Sequence, residues 1–362
     1  MKGIVGFMLL VHGLIHFLGF TQAMGLGKPE QFSKEVSKPL GWLWLAGGLL
    51  FLAVALSYLL KKEAWPILAI VAVALSQTLI VMFWADAKFG TIPNAIILVL
   101  AVIGLASMRF ENAYRSDVLS SLQTTQSAGE VIGEADLRGL PLPVRNYLRY
   151  VGVVGKPKLR NFRIRFEGEM RGRGKDWFHF TSEQYSFVAP PARLFFMKAT
   201  INGLPTAGYH AYKDRTAGMR IKLLSLFPVV NIKGPELYPT ETVTYFNDLC
   251  LFAPAGLIDP RIAWEEINDL TVKATFSSGG TAISALLFFN EKGQLVNFRS
   301  EDRISVDEMK TFPFSTPVKN YEQVNGYRLP TYGEAIWHYP DGEFVYGKFQ
   351  VKEIAYNVTQ LE

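Results

Sequence analysis

The chain has 362 residues, of which 49% are hydrophobic and 19% are charged. The residues up to Met108 hold 7 of the 37 basic and 4 of the 32 acidic side chains, so the remainder, with 30 basic and 28 acidic, is close to neutral. A nucleic-acid-binding region normally concentrates positive charge, so this composition excludes nucleic acid as the expected partner. Cys250 is the single cysteine, which excludes an intrachain disulfide and a zinc site built from cysteines.

Four apolar stretches come first in the chain. They are Ile4–Phe20, Gly41–Leu60, Trp65–Trp84 and Asn94–Met108, and none contains Lys, Arg, Asp or Glu. Each is long enough, or nearly so, to cross a hydrocarbon core of about 30 Å as a helix. Residues 1–109 are therefore predicted to form a four-helix transmembrane module of a multi-pass protein of the bacterial inner membrane, with the lipid bilayer as its first partner. The first stretch is expected to remain as an uncleaved helix.

Two histidines lie inside the first stretch. His12 and His16 are four residues apart and so share one face of a helix. This spacing suggests a metal or haem site, or a proton-relay pair, as one interpretation. The other, which we favour, is polar packing against a neighbouring helix through Ser76, Gln77 or Thr78. We expect no cofactor, and we keep His12 and His16 only as a weak metal-site candidate.

The distribution of positive charge predicts the orientation of the chain. With four spans, the N-terminus and everything after the fourth span lie on one side of the membrane. That side carries five basic residues near the spans and the other side carries four: Lys2, Lys61, Lys62, Arg109 and Arg115 against Lys28, Lys34, Lys38 and Lys88. The positive-inside rule then predicts, by a margin of one charge, that the C-terminal domain faces the cytoplasm.

Residues 110–139 are predicted to be a linker, and residues 140–362 a separate β-rich domain. The segment Ser116–Gln126 is rich in Ser, Gln and Thr and has little helical periodicity. Pro141 and Pro143 then precede apolar residues spaced at helical intervals, which predicts a short amphipathic helix ending near Gly152.

Beyond that helix the apolar pattern changes to a period of two, which is typical of antiparallel strands. The first run is Phe162–Met170, and further runs are Trp177–Phe187, Arg193–Thr200, Ala217–Phe227, Leu270–Phe276, Thr281–Asn290, Gln294–Arg303, Pro317–Val324, Thr331–Tyr339 and Glu343–Asn357. Turn sequences such as Asn325-Gly326 join several of them. About ten strands predict an α+β, mainly antiparallel β domain whose sheet is strongly curved, or a half-barrel, in order to hide its apolar face.

A helical interruption is predicted to cover this sheet. Thr240–Ala253 lies between two prolines and places Asn247 within an apolar arc, with Asp248 at its side. A buried amide at that place requires hydrogen-bond partners. The segment Arg261–Ile267 is predicted to add a further turn of helix.

The chain from about Leu140 onwards resembles a family of uncharacterised bacterial proteins known only as a domain of unknown function. The resemblance lies in ordered blocks of sequence: Thr244–Ala255, Phe289–Gly293, Asn297–Arg303, Ser315–Val318, Asn325–Pro330, Gly333–Trp337 and Glu343–Gly347. It implies no activity and no catalytic residues. The strand pattern is also similar, at fold level, to lipoprotein-carrier domains, in which a curved sheet and a helical lid enclose an apolar cavity.

No established catalytic motif is present, so the catalytic residues are unknown. The strongest polar cluster is the run Gln294–Arg303, whose alternate positions Asn297, Arg299, Glu301 and Arg303 are expected to share one face of a strand. In one interpretation they meet Asn247, Asp248, Glu334 and Trp337 in a ligand-binding cleft. In the other, which we favour, they are a solvated face with cross-strand ion pairs. Tyr209, Tyr212 and Asp214 either frame a pocket or belong to a turn.

Three functional hypotheses remain. The first is a membrane-anchored, non-catalytic β domain that binds a hydrophobic or amphipathic ligand, such as a lipid or an acyl chain. The second is a membrane-tethered enzyme that acts on an amphipathic substrate with Asp248, Glu301 or Glu334 as acid or base. The third is an assembly or scaffold subunit that docks a membrane protein partner. Because several strands, notably Ala282–Phe289, are apolar on both faces, we favour the first.

Overall fold

The computed structural model describes residues 2–26, 33–125, 129–306 and 308–362. These residues divide into two compact units, Met1–Phe110 and Glu111–Glu362. Lys28 and Gln126, which the sequence assigns to a loop and to the linker, lie outside the described residues.

The first unit consists of helices. They are α1 (Lys2–Ala23), α2 (Lys38–Leu59), α3 (Trp65–Met82), the short α4 (Trp84–Ala87) and the first part of α5 (Thr91–Thr124). By length and composition, four helical segments among the described residues are able to cross a membrane, and each overlaps one of the four predicted stretches. Helices α1 and α2 approach closely because Gly13 and Gly48 face each other, and a Cβ built on Gly48 would lie 2.9 Å from the Gly13 carbonyl oxygen.

Helix α5 continues through Thr124, so Ser116–Thr124 is helical although its sequence shows little helical periodicity. Within the second unit, the end of this helix packs on one face of the β-sheet. Tyr114 and Val118 are buried there, and the Tyr114 ring stacks on Phe196 with 5.3 Å between the ring centroids. Helical periodicity was weak in this segment because only a narrow stripe of its surface is buried.

The second unit is built on a sheet of thirteen antiparallel strands. After α6 (Leu142–Val151), the strands are β1 (Asn161–Met170), β2 (Phe178–Phe187), β3 (Ala192–Ile201), β4 (Leu204–Lys213), β5 (Thr216–Leu223), β6 (Phe227–Lys233), β7 (Ile262–Asn268), β8 (Thr271–Ser278), β9 (Thr281–Phe289), β10 (Leu295–Ser300), β11 (Ile304–Ser305), β12 (Lys310–Thr311), β13 (Phe314–Val324), β14 (Tyr327–Tyr339) and β15 (Gly342–Tyr356). The order in the large sheet is β6-β5-β4-β3-β2-β1-β15-β14-β13-β10-β9-β8-β7, and β11 and β12 pair separately. The sheet is open, with β6 and β7 at its edges.

Helix α7 (Leu237–Phe252) shows how strongly the sheet is curved. This helix contacts β4 and β5 near one edge of the sheet and β9 and β10 near the other. In a flat sheet, nine strand spacings of about 4.8 Å would separate β5 from β9 by roughly 43 Å. The sheet therefore wraps around α7, and nearly every residue of the helix is buried. The predicted fold class, a helical N-terminal region followed by a curved antiparallel sheet with a helical cover, is confirmed.

Three details of the sequence prediction are wrong. Strands β4 and β6 were not predicted, and of the two interpretations of Tyr209 and Tyr212 the turn is wrong, because both lie within β4. The segment predicted as a helical turn, Arg261–Ile267, is mostly the edge strand β7, because Ile262 and Trp264 pair with Phe276 and Ala274 of β8. Strand β10 ends at Ser300, so Glu301 and Arg303 are not on the strand face that carries Asn297 and Arg299.

Candidate functional site

A cavity of about 300 Å³ lies between helix α7 and the concave face of the sheet. Most of its wall is apolar, because strands from both halves of the curved sheet direct hydrophobic side chains inwards. The apolar lining includes Phe166, Phe178, Phe195, Met197, Met219, Ile221, Leu251, Phe252 and Phe349. On β3, Phe195 and Met197 face this cavity while Phe196 faces Tyr114 on the opposite side, as the alternation of a strand requires.

One side of the cavity carries a buried ion cluster centred on Arg193 of β3. The Arg193 Nε donates to Asp248 Oδ2 at 2.7 Å, and a second guanidinium nitrogen lies 3.7 Å from Glu241 Oε2. The Nε2 of Gln184 also donates to Asp248 Oδ2, at 2.9 Å. All three charged residues are buried, since at most 8% of the surface of each is exposed. Asp248 is therefore held in place by two donors.

A second arginine, Arg303, lies over aromatic rings at the cavity wall. Its guanidinium carbon is 4.0 Å from the ring centroid of Phe314 and 4.9 Å from that of Trp337, and it donates to the Tyr346 hydroxyl at 2.8 Å. Such stacking stabilises a cation without neutralising it. Among the described residues Arg303 has no ion pair, and its positive charge is available to an anionic group.

Three buried polar atoms at the cavity lack a hydrogen-bond partner among the described residues. They are Oε2 of Glu241 and Oδ1 of Asn247 on α7, and Oγ1 of Thr316 on β13. The Glu241 oxygen is the one that lies 3.7 Å from Arg193. A buried polar atom without a partner costs about 1–3 kcal/mol, and native proteins leave few of them. A bound molecule with a hydroxyl or amide donor would supply the missing bonds.

His210 also lines the cavity, on β4 next to Phe195. Burial lowers the pKa of its imidazole to about 4, although the neighbouring Glu241 acts in the opposite direction. At neutral pH the side chain is therefore uncharged. The charged groups around the cavity are then Arg171, Arg193 and Arg303 against Glu241 and Asp248, which leaves one net positive charge.

The structure brings together half of the predicted site residues. Asn247, Asp248, Arg303 and Trp337 line the same cavity. The other four do not: Asn297, Arg299, Glu301 and Glu334 lie elsewhere. Arg299 and Glu301 form an exposed ion pair at 3.1 Å, with side chains 39% and 62% exposed. Glu334 accepts a hydrogen bond from the Tyr332 hydroxyl at 2.8 Å.

Sequence reasoning missed Arg193, Glu241, His210 and Thr316. Arg193 begins a predicted strand, and a single arginine at a strand end has no distinguishing pattern. Glu241 offered one signal: it lies in the same apolar helix as Asp248, two turns before it, so both carboxylates face one side. Two acids on one side of a buried helix require a cation opposite them.

A larger concavity, of about 1110 Å³, lies around Trp177 and His179. Its lining is rich in charged side chains, and the His179 side chain is 86% exposed. It is a surface groove, and it does not collect buried polar groups as the α7 cavity does.

The two histidines of α1 belong to a hydrogen-bonded network inside the helical unit. His12 Nε2 donates to Asn94 Oδ1 at 2.8 Å, and His16 Nε2 accepts from the Ser76 hydroxyl at 2.8 Å. The amide of Asn94 donates to Ser76 Oγ and to Gln77 Oε1, at 2.9 and 3.0 Å. Polar packing against Ser76 is thus present, with Asn94 as a central residue that the sequence did not indicate. No group of three or more potential metal ligands occurs in the described part of the chain.

Comparisons with known proteins place the second unit in a family. A search of curated proteins found no match. Among solved structures, a Vibrio parahaemolyticus domain named "putative outer membrane lipoprotein-sorting protein domain" is similar at 8% identity and a TM-score of 0.33, over 56% of this chain and 88% of that one. A LolA superfamily protein from Nitrosomonas europaea is similar at 11% identity and a TM-score of 0.33, over 59% of this chain and 90% of that one. The model of a family of unknown function, DUF6544, matches residues 130–349, which confirms the resemblance found in the sequence, and the chain belongs to this family.

Proposed function

We propose that this protein is a membrane-anchored, non-catalytic binding protein whose second unit takes an amphipathic ligand into the α7 cavity. The observation that supports this most is the cavity itself, which combines an apolar wall with a confined set of polar groups. Small-molecule sites in proteins have this composition, with a few placed polar groups that fix the orientation of a mostly apolar ligand.

The volume of the cavity limits the ligand. At about 300 Å³ the cavity lies at the lower end of the range of roughly 300–1,000 Å³ that small-molecule sites in proteins span. A medium-length acyl chain matches this volume. A long acyl chain would require the cavity to widen or part of the chain to remain outside it.

The polar groups define the other end of the ligand. Asp248 already accepts from Arg193 and Gln184, so its position is occupied by protein donors. Arg303 and the Oδ1 of Asn247 retain capacity for a ligand. A carboxylate or phosphate near Arg303, with a hydroxyl or amide that donates to Asn247, would satisfy both. The net positive charge of the cavity favours a head group with one negative charge.

The enzyme hypothesis has less support from the geometry. It names Asp248, Glu301 or Glu334 as acid or base, and of these three only Asp248 lines the cavity. Glu301 is mostly exposed and paired with Arg299. The carboxylates that line the cavity are Glu241 and Asp248, and both neighbour Arg193.

The helical unit is proposed to act as a membrane anchor in the bacterial inner membrane, with the second unit on the cytoplasmic side as the charge distribution predicts. The orientation is tested by labelling single cysteines introduced into the exposed surface of the second unit, in intact and in permeabilised cells. Labelling in intact cells by a reagent that does not cross the inner membrane would overturn the cytoplasmic assignment.

The ligand is tested by native mass spectrometry of the full chain purified in mild detergent. Wild type is expected to carry an extra mass equal to that of a small amphipathic molecule. Met197→Trp places a large ring in the cavity and is expected to abolish this mass. Met309→Trp is the matched control, because Met309 is 53% exposed and does not line the cavity.

Thermal unfolding of both variants must show that Met197→Trp remains folded. If the folded Met197→Trp protein carried the same mass as wild type, the cavity would not be the binding site. If wild type carried no such mass and did not bind added decanoate, the binding proposal would be wrong.

A further inference from the structure

Two neighbouring hairpin tips at one corner of the sheet expose apolar side chains. The turns are those between β3 and β4 and between β5 and β6, and the Leu224 N–H donates to the Pro205 carbonyl at 2.7 Å, so the tips are joined. Leu204 is 44% exposed, Leu226 37%, Phe227 60% and Val229 65%. Together they form one apolar surface, which we call the hairpin patch.

The backbone of the second turn is unusual for its sequence. Leu224 and Ser225 both have positive φ, 53° and 58°, and the Leu226 N–H closes the turn on the Leu223 carbonyl. This is the geometry of a type I′ turn, for which Asn-Gly is the preferred sequence. The neighbouring turn has that sequence, Asn202-Gly203, in the same conformation. The second tip thus has Leu224 at a position where the turn geometry favours a small polar residue.

The two edge strands of the sheet also differ in the kind of residue that they expose. Edge strand β7 carries the exposed Glu265 and Glu266. Charged residues on an edge strand commonly prevent it from pairing with a strand of another molecule. Edge strand β6 begins instead with exposed Phe227, Pro228 and Val229. Pro228 lacks an N–H group, so the addition of a partner strand at this point is disfavoured. The patch is better suited to contact with lipid than with another β-strand.

The end of α5 runs along the part of the sheet that carries the patch. Along β4 and its neighbour β3, Ser120 lies near Lys213, Asp117 accepts from Tyr209, and Glu111 pairs with Lys198 at 2.6 Å. The helix therefore runs along the sheet, and Glu111 lies nearer to the hairpin tips than Ser120 does. Glu111 follows almost directly after the apolar stretch that ends at Met108. Within the second unit, the patch therefore lies towards the end of the sheet at which Glu111, the first residue of this unit, is placed.

We propose that the hairpin patch inserts into the interfacial region of the bilayer that the helical unit spans. Residues 199–206 and 222–232 contain no carboxylate, and Lys222 and Lys233 flank the apolar run of β6. Apolar side chains bordered by lysines fit an interface with anionic head groups. The insertion goes beyond the ligand proposal and does not depend on the α7 cavity.

The test uses the full chain with a nitroxide attached to Val229→Cys, reconstituted in vesicles of phosphatidylcholine and phosphatidylglycerol. The native Cys250 is fully buried and does not compete for the label. Collision rates are measured with oxygen, which concentrates in lipid, and with a water-soluble nickel chelate. The matched control is Ile267→Cys, an apolar position on the opposite edge strand that is 48% exposed.

We expect the ratio of oxygen to nickel collisions to be several-fold higher at Val229 than at Ile267. Equal ratios at the two positions would overturn the proposal. Low collision rates with both reagents at Val229 would also overturn it, because they would show a protein surface, such as a second copy of the chain, over the patch. Native mass spectrometry of the same protein reports the ligand separately, so the two proposals fail independently.

Discussion

The ion cluster at Arg193 gives the sharpest energetic prediction. Arg193→Met removes the cation that lies beside both Asp248 and Glu241 and leaves two carboxylates in a buried pocket. Breaking a buried ion pair by removing one partner costs about 3–5 kcal/mol, because the remaining charge is uncompensated. The control is Arg299→Met, which breaks an exposed pair of similar length and should cost about 1 kcal/mol or less.

The measurement is thermal unfolding of the full chain in detergent, followed by circular dichroism at a β-sheet wavelength. For a unit of this size, 1 kcal/mol corresponds to about 2–4 °C in Tm. Arg193→Met should therefore lower Tm by roughly 6–20 °C, and Arg299→Met by less than about 4 °C. Adding Asp248→Asn to Arg193→Met should restore part of the loss, since one of the two unpaired charges disappears. Similar Tm values for the two arginine variants would refute the argument that the Arg193 cluster is desolvated.

Three further predictions follow from single positions. The pKa of His210, about 4 in the folded state and near 6.5 unfolded, means that the unfolded state takes up more protons between these values. Stability should fall as pH drops from about 6.5 to 4, and His210→Phe should flatten that part of the Tm–pH profile. Gly168→Ala would place a Cβ 2.0 Å from a carbonyl oxygen of β15 and should lower Tm markedly, whereas Gly208→Ala meets its nearest atom at 3.6 Å and should not. Asn94→Leu removes the amide that binds His12 and should reduce the resistance of the helical unit to unfolding in detergent by about 1–2 kcal/mol.

Most helices and strands could be predicted because each is marked by the spacing of apolar residues within its own sequence. The apolar stretches have no charge in their interior, and the central strands alternate strictly, as at Phe162, Ile164 and Phe166 of β1. The same alternation predicts a wet face at Arg163, yet this side chain is only 1% exposed. Its guanidinium pairs with Glu353 of β15 and with the C-terminal Glu362, which covers it. The sequence of β1 does not reveal that Arg163 is buried, because the residues that pair with it lie far along the chain.

The errors have the same origin in long-range contacts. Strand β7 was predicted as helix because IAWEEIN has no clear period, and its conformation is fixed by pairing with β8. The end of α5 was predicted as a linker because its polar residues hide the stripe formed by Tyr114 and Val118. Both side chains are buried, and Glu183, which accepts a hydrogen bond from the Tyr114 hydroxyl, lies 69 residues further along the chain.

The candidate site was predicted on α7 and missed on the strands for a related reason. A polar residue in an apolar helix is conspicuous, so Asn247 and Asp248 were found from the sequence. The partners of Asp248, Gln184 and Arg193, come from β2 and β3, and their positions in those strands gave no sign of this contact. Asp248 accepts hydrogen bonds from Arg193 and Gln184, so its buried carboxylate is satisfied by the protein itself. Asn247, whose Oδ1 has no partner, and Arg303 are therefore the residues that we expect to contact a ligand. A variant at Asp248 would therefore report on stability, and a variant at Arg303 on binding.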